Sequence, residues 1–208
     1  MTFVEYFDKI KIVKKPLLIK QKVESSTLNF YIRFRCAFVV FYGRVNVKKI
    51  GLIMGSDSDL PIVQKAINVL KEFGIPYEAH IYSAHRTPEQ VDAFVSSAID
   101  NDFGVIVAFA GMAAHLAGAV AARTTLPVIG VPCKSTNLDG LDALLSTVQM
   151  PSGIPVATVA IDGGANAGIL AAQIISLTDT SLAEKIKQKR LADAQKVLKK
   201  DAELLKGV

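Results

Sequence analysis

From Lys48 onward the chain alternates short, almost wholly apolar runs with longer stretches of helical spacing, and no other feature constrains its fold as much. "KKIGLIMG" (48–55), "IPYEAHIY" (75–82), "GVIVAFA" (104–110), "LPVIGVP" (126–132) and "IPVATVAI" (154–161) read as five strands. In "DLPIVQKAINVLKEFG", Pro61 in the first turn and Gly74 just past the end bracket a helix. Its Ile62, Ala66, Val69, Leu70 and Phe73 fall on one face. "TPEQVDAFVSSAIDN" is a second helix with Thr87 at the cap position, and "MAAHLAGAVAART" a helix of small residues. "GLDALLSTVQM" reads as a helix or helical turn and "NAGILAAQIISL" as an apolar helix. Residues 181–206 form a lysine-rich amphipathic helix.

Strands alternating with helices imply βαβ units and a mostly parallel sheet. Strands that are nearly all apolar imply that both faces of the sheet are covered. With right-handed crossovers, the expected fold is a doubly wound, three-layer α/β sandwich with a C-terminal helix. Ligands in such folds sit beyond the carboxyl ends of the strands, where the winding reverses. The polar residues of the loops after each strand are therefore the candidates for chemistry.

The formal charge of +5 is unevenly spread. Residues 1–49 hold 11 Lys/Arg and 3 Asp/Glu, so the remainder of the chain is net acidic and offers no nucleic-acid surface. Nine of the 15 aromatics also lie in 1–49, with only one glycine, Gly43. The longest apolar run there, Cys36 to Tyr42, is too short to span a bilayer. No secretory-signal pattern is present. Residues 1–47 read as an extension outside the fold, or as a misplaced start with translation beginning near Val45 or Val47. Residues 48–179 form the α/β domain and 180–208 the C-terminal helix, which is a solvated face or a dock for a neighbouring subunit. Two isolated cysteines, Cys36 and Cys133, make neither a disulfide framework nor a metal motif, which places the chain in a reducing compartment, the cytoplasm.

After the first strand comes "GSDSD". A turn and a helix cap account for one or two of its polar residues, leaving Ser56, Asp57 and Asp59 as candidate contacts for an anion, for sugar hydroxyls or for a metal. After the second comes "SAHRTP". Arg86 opposes the dipole of the helix it precedes, a cost that a bound anion would offset, and arginine grips phosphate in a bidentate way. The imidazole of His85 can carry a proton near neutral pH. After the third comes "FAGMAAHLAG", where Gly111 and the alanines let a ligand approach the backbone and His115 enters the helix. His80 lies mid-strand and reads as structural. The connection after the fourth strand, "VPCKSTNLDGLDALLSTVQMPSG", is long for a compact domain, and is expected to fold over the site or to meet a neighbouring subunit. No GxGxxG follows the first strand, and neither GxxxxGK[ST] nor HExxH occurs, which disfavours dinucleotide, P-loop and zinc-protease chemistry.

"GSDSDLP", "SAHRTPE", "GMAAHLAG", "GLDALLSTVQMPSGIPVATVAI" and "NAGILAAQI", in this order, resemble the 5-(carboxyamino)imidazole ribonucleotide mutases of purine biosynthesis, the catalytic subunits of phosphoribosylaminoimidazole carboxylase. The likeness runs from about Lys48 to Leu177. It implies a flavodoxin-like sandwich, a homo-octamer, and movement of a carboxyl group from an exocyclic amine to a ring carbon without cofactor or metal. It further implies that Ser56, Asp59 and Arg86 bind the substrate's phosphate and ribose, with Asp57 and Ser83 as further contacts. His85 would be the general acid and base, and His115, with the backbone from Gly111 to Ala114, would line a carbon-dioxide pocket. The partners implied are the ribonucleotide, other copies of the chain and, functionally, the ATP-dependent enzyme that makes the substrate; no nucleic acid or membrane is implied. The related class that carboxylates aminoimidazole ribonucleotide with free carbon dioxide typically has a lysine where this chain has Arg86, which favours the mutase over direct carboxylation. Two positions depart from the usual pattern: Leu60, where tryptophan is usual, and Ala117, where "HLPG" is usual.

Overall fold

Alternate residues of each central strand serve opposite cores, and this period of two fixes the layers. The computed structural model describes residues 47–136 and 138–206; the expected extension 1–47 lies outside the described residues except for its last residue. β1 (Lys49–Met54), β2 (Tyr77–Ile81), β3 (Phe103–Gly111), β4 (Val128–Cys133) and β5 (Ala157–Thr158) form one all-parallel sheet in the order β2-β1-β3-β4-β5. One face sends Ile50, Leu52, Val105, Val107, Phe109, Ile129 and Val131 against α1 (Leu60–Phe73), α5 (Gly164–Ser176) and the first turns of α6 (Thr180–Leu204). The other sends Ile53, Ile106, Ala108 and Val128 against α2 (Pro88–Ser96) and α3 (Leu116–Ala121). This is the three-layer sandwich, and the order places the reversal of winding between β1 and β3.

Two strands differ from the reading of the sequence. β2 is at the sheet edge and is half-exposed, so the rule that both faces are covered holds only for the inner strands. His80 on this strand stacks on Tyr82 at 4.8 Å and meets Phe94 edge-on at 5.1 Å, a structural aromatic cluster. β5 spans two residues instead of eight. Pro155 has no N–H to give a ladder, and pairing with β4 is confined to Ile129↔Ala157 and Gly130↔Thr158. "GLDALLSTVQM" does form a helix, α4 (Leu141–Val148).

Local chemistry ends α1 where expected, whereas α2 and α3 are shorter than the stretches 87–101 and 112–124 read as helices. Pro61 sits in the first turn of α1, and Gly74 closes it in the left-handed region, at φ 72°. At α6, Asp179 accepts hydrogen bonds from the amides of Ser181 (2.9 Å) and Leu182 (3.0 Å) and from the Ser181 hydroxyl (2.9 Å). The Leu182 amide, followed by the Ser181 contacts, holds this carboxyl below the usual aspartate range. Its folded pKa is depressed, so the stability it contributes is full above the unfolded value of roughly 4 and is lost as pH falls through the folded value. Asp179→Ala is expected to cost about 1 kcal/mol at neutral pH. Thermal melts from pH 7 down to strongly acidic pH should show the gap between variant and wild type closing only in acid.

Candidate active site

Four loops converge at the carboxyl ends of the sheet because the strands are parallel and tied together there. Gly55 N–H donates to Phe109 O (3.1 Å), and Tyr82 N–H to Met54 O (2.9 Å). The loops line a cleft of about 960 Å³.

The first loop is a capping box. Ser58 N–H donates to Ser56 Oγ (3.3 Å), and Ser56 N–H to the carboxylate of Asp59 (3.2 Å). Ser56 and Asp59 thus cap the turn and also line the cleft. Asp59 is buried, and burial pushes its carboxyl above the usual range against the opposing bond from Ser56. Asp57 accepts from Ser56 Oγ at 3.1 Å and is exposed outside the lining.

The second loop is wound by two hydroxyls. Ser83 Oγ accepts from the amides of His85 and Arg86, both at 3.3 Å. Thr87 precedes α2, but its hydroxyl does not cap that helix; it accepts from Ser83 N–H (2.8 Å) and donates to Ser83 O (3.2 Å). His85 and Arg86 project from this turn into the cleft. Arg86 Nη2 donates to Gly55 O at 2.6 Å, so its guanidinium lies against the first loop.

In the third loop Gly111 lies close to β4: a Cβ there would meet Cys133 O at 3.2 Å. Met112 follows with φ 56°, and His115 immediately precedes α3. His115 Nδ1 lies 2.9 Å from His85 Nε2, with the ring planes at 89°. The contact joins two imidazoles on different loops, with the donor and acceptor roles set by their tautomers. Ala114 is buried and outside the lining, unlike its neighbours Gly111 and Ala113.

The cleft therefore gathers Ser56, Asp59, Ser83, His85, Arg86, Gly111 and His115, and leaves Asp57 and Ala114 out of its wall. The fourth loop adds Lys134, Thr136 and Asp139, which sequence reasoning did not single out. The signal was there: Lys134 is the residue after β4, and in a parallel sheet every such position is at the ligand end. Cys133 is buried. Burial first, then the nearby carboxylates of Asp59 and Asp162, raise its thiol far above the ordinary range, so it offers no thiolate.

The model of the family described as AIR carboxylase matches residues 49–196. The chain belongs to the AIR carboxylase family. Among its relatives, the N5-carboxyaminoimidazole ribonucleotide mutase of Pyrococcus abyssi is 53% identical over 147 residues, covering 71% of this chain and 84% of the relative. The phosphoribosylaminoimidazole carboxylase of Saccharomyces cerevisiae is 52% identical over 155 residues, covering 74% of this chain but 27% of that longer protein. The solved structure of Treponema denticola PurE is 35% identical with a TM-score of 0.69, covering 75% of this chain and 98% of that one. Neither of the two departures from the family pattern is in the cleft lining, although Leu60 follows Asp59 directly and Ala117 lies two residues after His115. Leu60 opens α1 half-exposed, and Ala117 is buried on α3 against Gly130 of β4.

Proposed function

We propose that this protein is a mutase of purine biosynthesis, an isomerase that converts 5-carboxyaminoimidazole ribonucleotide to 4-carboxy-5-aminoimidazole ribonucleotide. The observation that carries the reading is the 2.9 Å contact between His85 and His115 in the same cleft as Arg86. It brings a proton carrier and an anion holder together.

In this reading Arg86, with Ser56 and Asp59, holds the phosphate and ribose, and Asp57 and Ser83 support those contacts. His85 protonates the carbamate nitrogen, the N–C bond breaks, and carbon dioxide leaves with the amine neutral. The trapped gas is attacked by the nucleophilic ring carbon, and the ring proton passes back to His85 as the new C–C bond is fixed. One imidazole serves as acid and then as base, and no proton is gained or lost over the cycle. His115 and the wall from Gly111 to Ala113, with buried Ala114 next in the chain, confine the gas, since a small dry pocket limits its escape.

The protein is a homo-octamer of the cytoplasm in this reading, with its substrate supplied by an ATP-dependent enzyme. The half-exposed stripe of Leu141, Leu145 and Val148 on α4 supports a subunit contact there. No helix among the described residues is long and apolar enough to cross a membrane. Residues 1–47 lie outside the catalytic α/β domain, a division that the family match beginning at residue 49 supports.

The test is a two-substrate assay. Purified protein should turn over the carboxyamino ribonucleotide rapidly, and aminoimidazole ribonucleotide with bicarbonate far more slowly. Fast turnover of the second pair alone would reassign the protein to direct carboxylation.

A further inference from the structure

We infer that Lys134 binds the migrating carboxylate of the substrate, and that Asp139 is the counterion it exchanges for that group. This assignment rests on the mutase reading and names a contact which that reading leaves open.

The cleft has two anions to hold and, among its described lining residues, two cations. The ribonucleotide bears its phosphate at one end and its carboxyl at the other. Arg86 is anchored to Gly55 O at the end of β1, and Lys134 follows β4. β3 lies between these strands, and the loop after it carries His115. At a strand spacing of about 4.8 Å, the two anchor points are roughly 10 Å apart. The imidazole of His115 thus comes from the loop between a cation at one end and a cation at the other. Arg86 cannot serve both ends of the nucleotide from its anchor.

The backbone of Lys134 is held on two sides. Its amide donates to Asp162 Oδ1 at 2.9 Å, and Asp162 in turn donates its own amide to Pro132 O at 2.9 Å. Gly140 packs so close that a Cβ there would meet Lys134 Cα at 3.2 Å. Leu138, Asp139 and Gly140 all have positive φ, at 56°, 50° and 89°. Two consecutive non-glycine residues in that region are costly, and such outliers persist where the surroundings enforce them. The result of this turn is that Asp139 is brought back to Lys134, with Nζ to Oδ1 at 3.0 Å.

The pair itself is loosely held. The two side chains are 55% and 81% exposed, and a pair of that kind contributes little and separates easily. A substrate carboxylate can replace the Asp139 carboxylate on Lys134 with the same charge and the same acceptor geometry. The chemistry calls for such an exchange. The carboxyl is an anion before and after migration and a neutral gas in between, so a fixed cation would be left unpaired midway. Asp139 returns to Lys134 at that moment.

The experiment compares two nucleotides by calorimetric titration: the carboxylated product, 4-carboxy-5-aminoimidazole ribonucleotide, and aminoimidazole ribonucleotide, which has the phosphate but no carboxyl. Lys134→Met should weaken the carboxylated nucleotide by about tenfold to a hundredfold, the range for losing a charge-assisted contact, and leave the other within about twofold. Lys134→Arg should restore most of the difference. Because Lys134 is exposed, an unchanged thermal melt confirms that the variants are folded. Equal weakening of both nucleotides, or of neither, would overturn the assignment while leaving the mutase reading intact. Wild-type protein that bound neither nucleotide would overturn both.

Discussion

Replacing His85 with asparagine should lower turnover of the carboxyamino ribonucleotide by about 10²–10⁴-fold, the usual contribution of a positioned general acid or base. Binding of the carboxylated product should stay within a few-fold. Asparagine keeps a polar side chain at the mouth of the cleft but cannot carry a proton between the carbamate nitrogen and the ring carbon. The binding contacts assigned to Arg86, Ser56 and Asp59 are made by other loops or by a neighbouring side chain, and the amide of residue 85 can still donate to Ser83 Oγ. His85 is exposed, and its recorded side-chain contacts are with His115, so stability should move by no more than about 0.5 kcal/mol. The loss should therefore appear in kcat, with KM nearly unchanged. Turnover that survived the substitution would remove His85 from the reaction. A large rise in KM at constant kcat would make it a binding group instead.

The features that could be read in advance are those set by local chemistry. Pro61 and Gly74 mark the ends of α1 because a missing N–H and a left-handed φ act within one turn. The inner strands were recognisable because burial on both faces leaves no polar position. The loops holding Ser56, Ser83, His85 and His115 were located by topology alone, since a parallel sheet puts every strand-to-helix turn at one end.

The remaining features depend on distant partners. β2 is open because of its place at the edge. Thr87 stands at the cap position, yet its hydroxyl is taken by Ser83, a competition that spacing does not reveal. Asp57 and Ala114 belong to the right motifs but are outside the cleft lining, Asp57 exposed and Ala114 buried. Lys134 and Asp139 meet only because three successive residues take positive φ, and two of those are not glycine. The two imidazoles come from loops 30 residues apart. Their contact is a property of the packed sheet and not of either motif.

Gly164→Ala should be the most damaging of the glycine-to-alanine changes at the described residues, although it adds one carbon at a helix start. α5 lies on α1 along a seam of small residues, Gly164, Ala167, Gly168 and Ala171. A Cβ at residue 164 would run into the carbonyl oxygen of Ile62, and one at residue 168 would lie 3.0 Å from that of Ala66. The two nearest atoms met at 164 are backbone, so no rotamer change relieves the clash, and the helices must part by about 1 Å to regain ordinary contact. Overpacking of this kind costs roughly 1–3 kcal/mol, which at about 2–4 °C per kcal/mol should lower the melting temperature by roughly 2–12 °C. The damage should also reach the cleft. Ile62 is in the first turn of α1, directly after the capping box that positions Ser56 and Asp59. A displacement near 1 Å at a binding loop can cost on the order of 10²-fold in rate, so kcat/KM measured well below the melting temperature should fall too. Gly153→Ala separates sterics from strain, because a Cβ there meets nothing within 4 Å but the backbone has φ 94°. That variant should lose about 1 kcal/mol and keep its activity. If Gly164→Ala instead melted and turned over like wild type, the contact between α5 and α1 would not be what holds the first loop in place, and the capping box alone would have to set the position of Ser56 and Asp59.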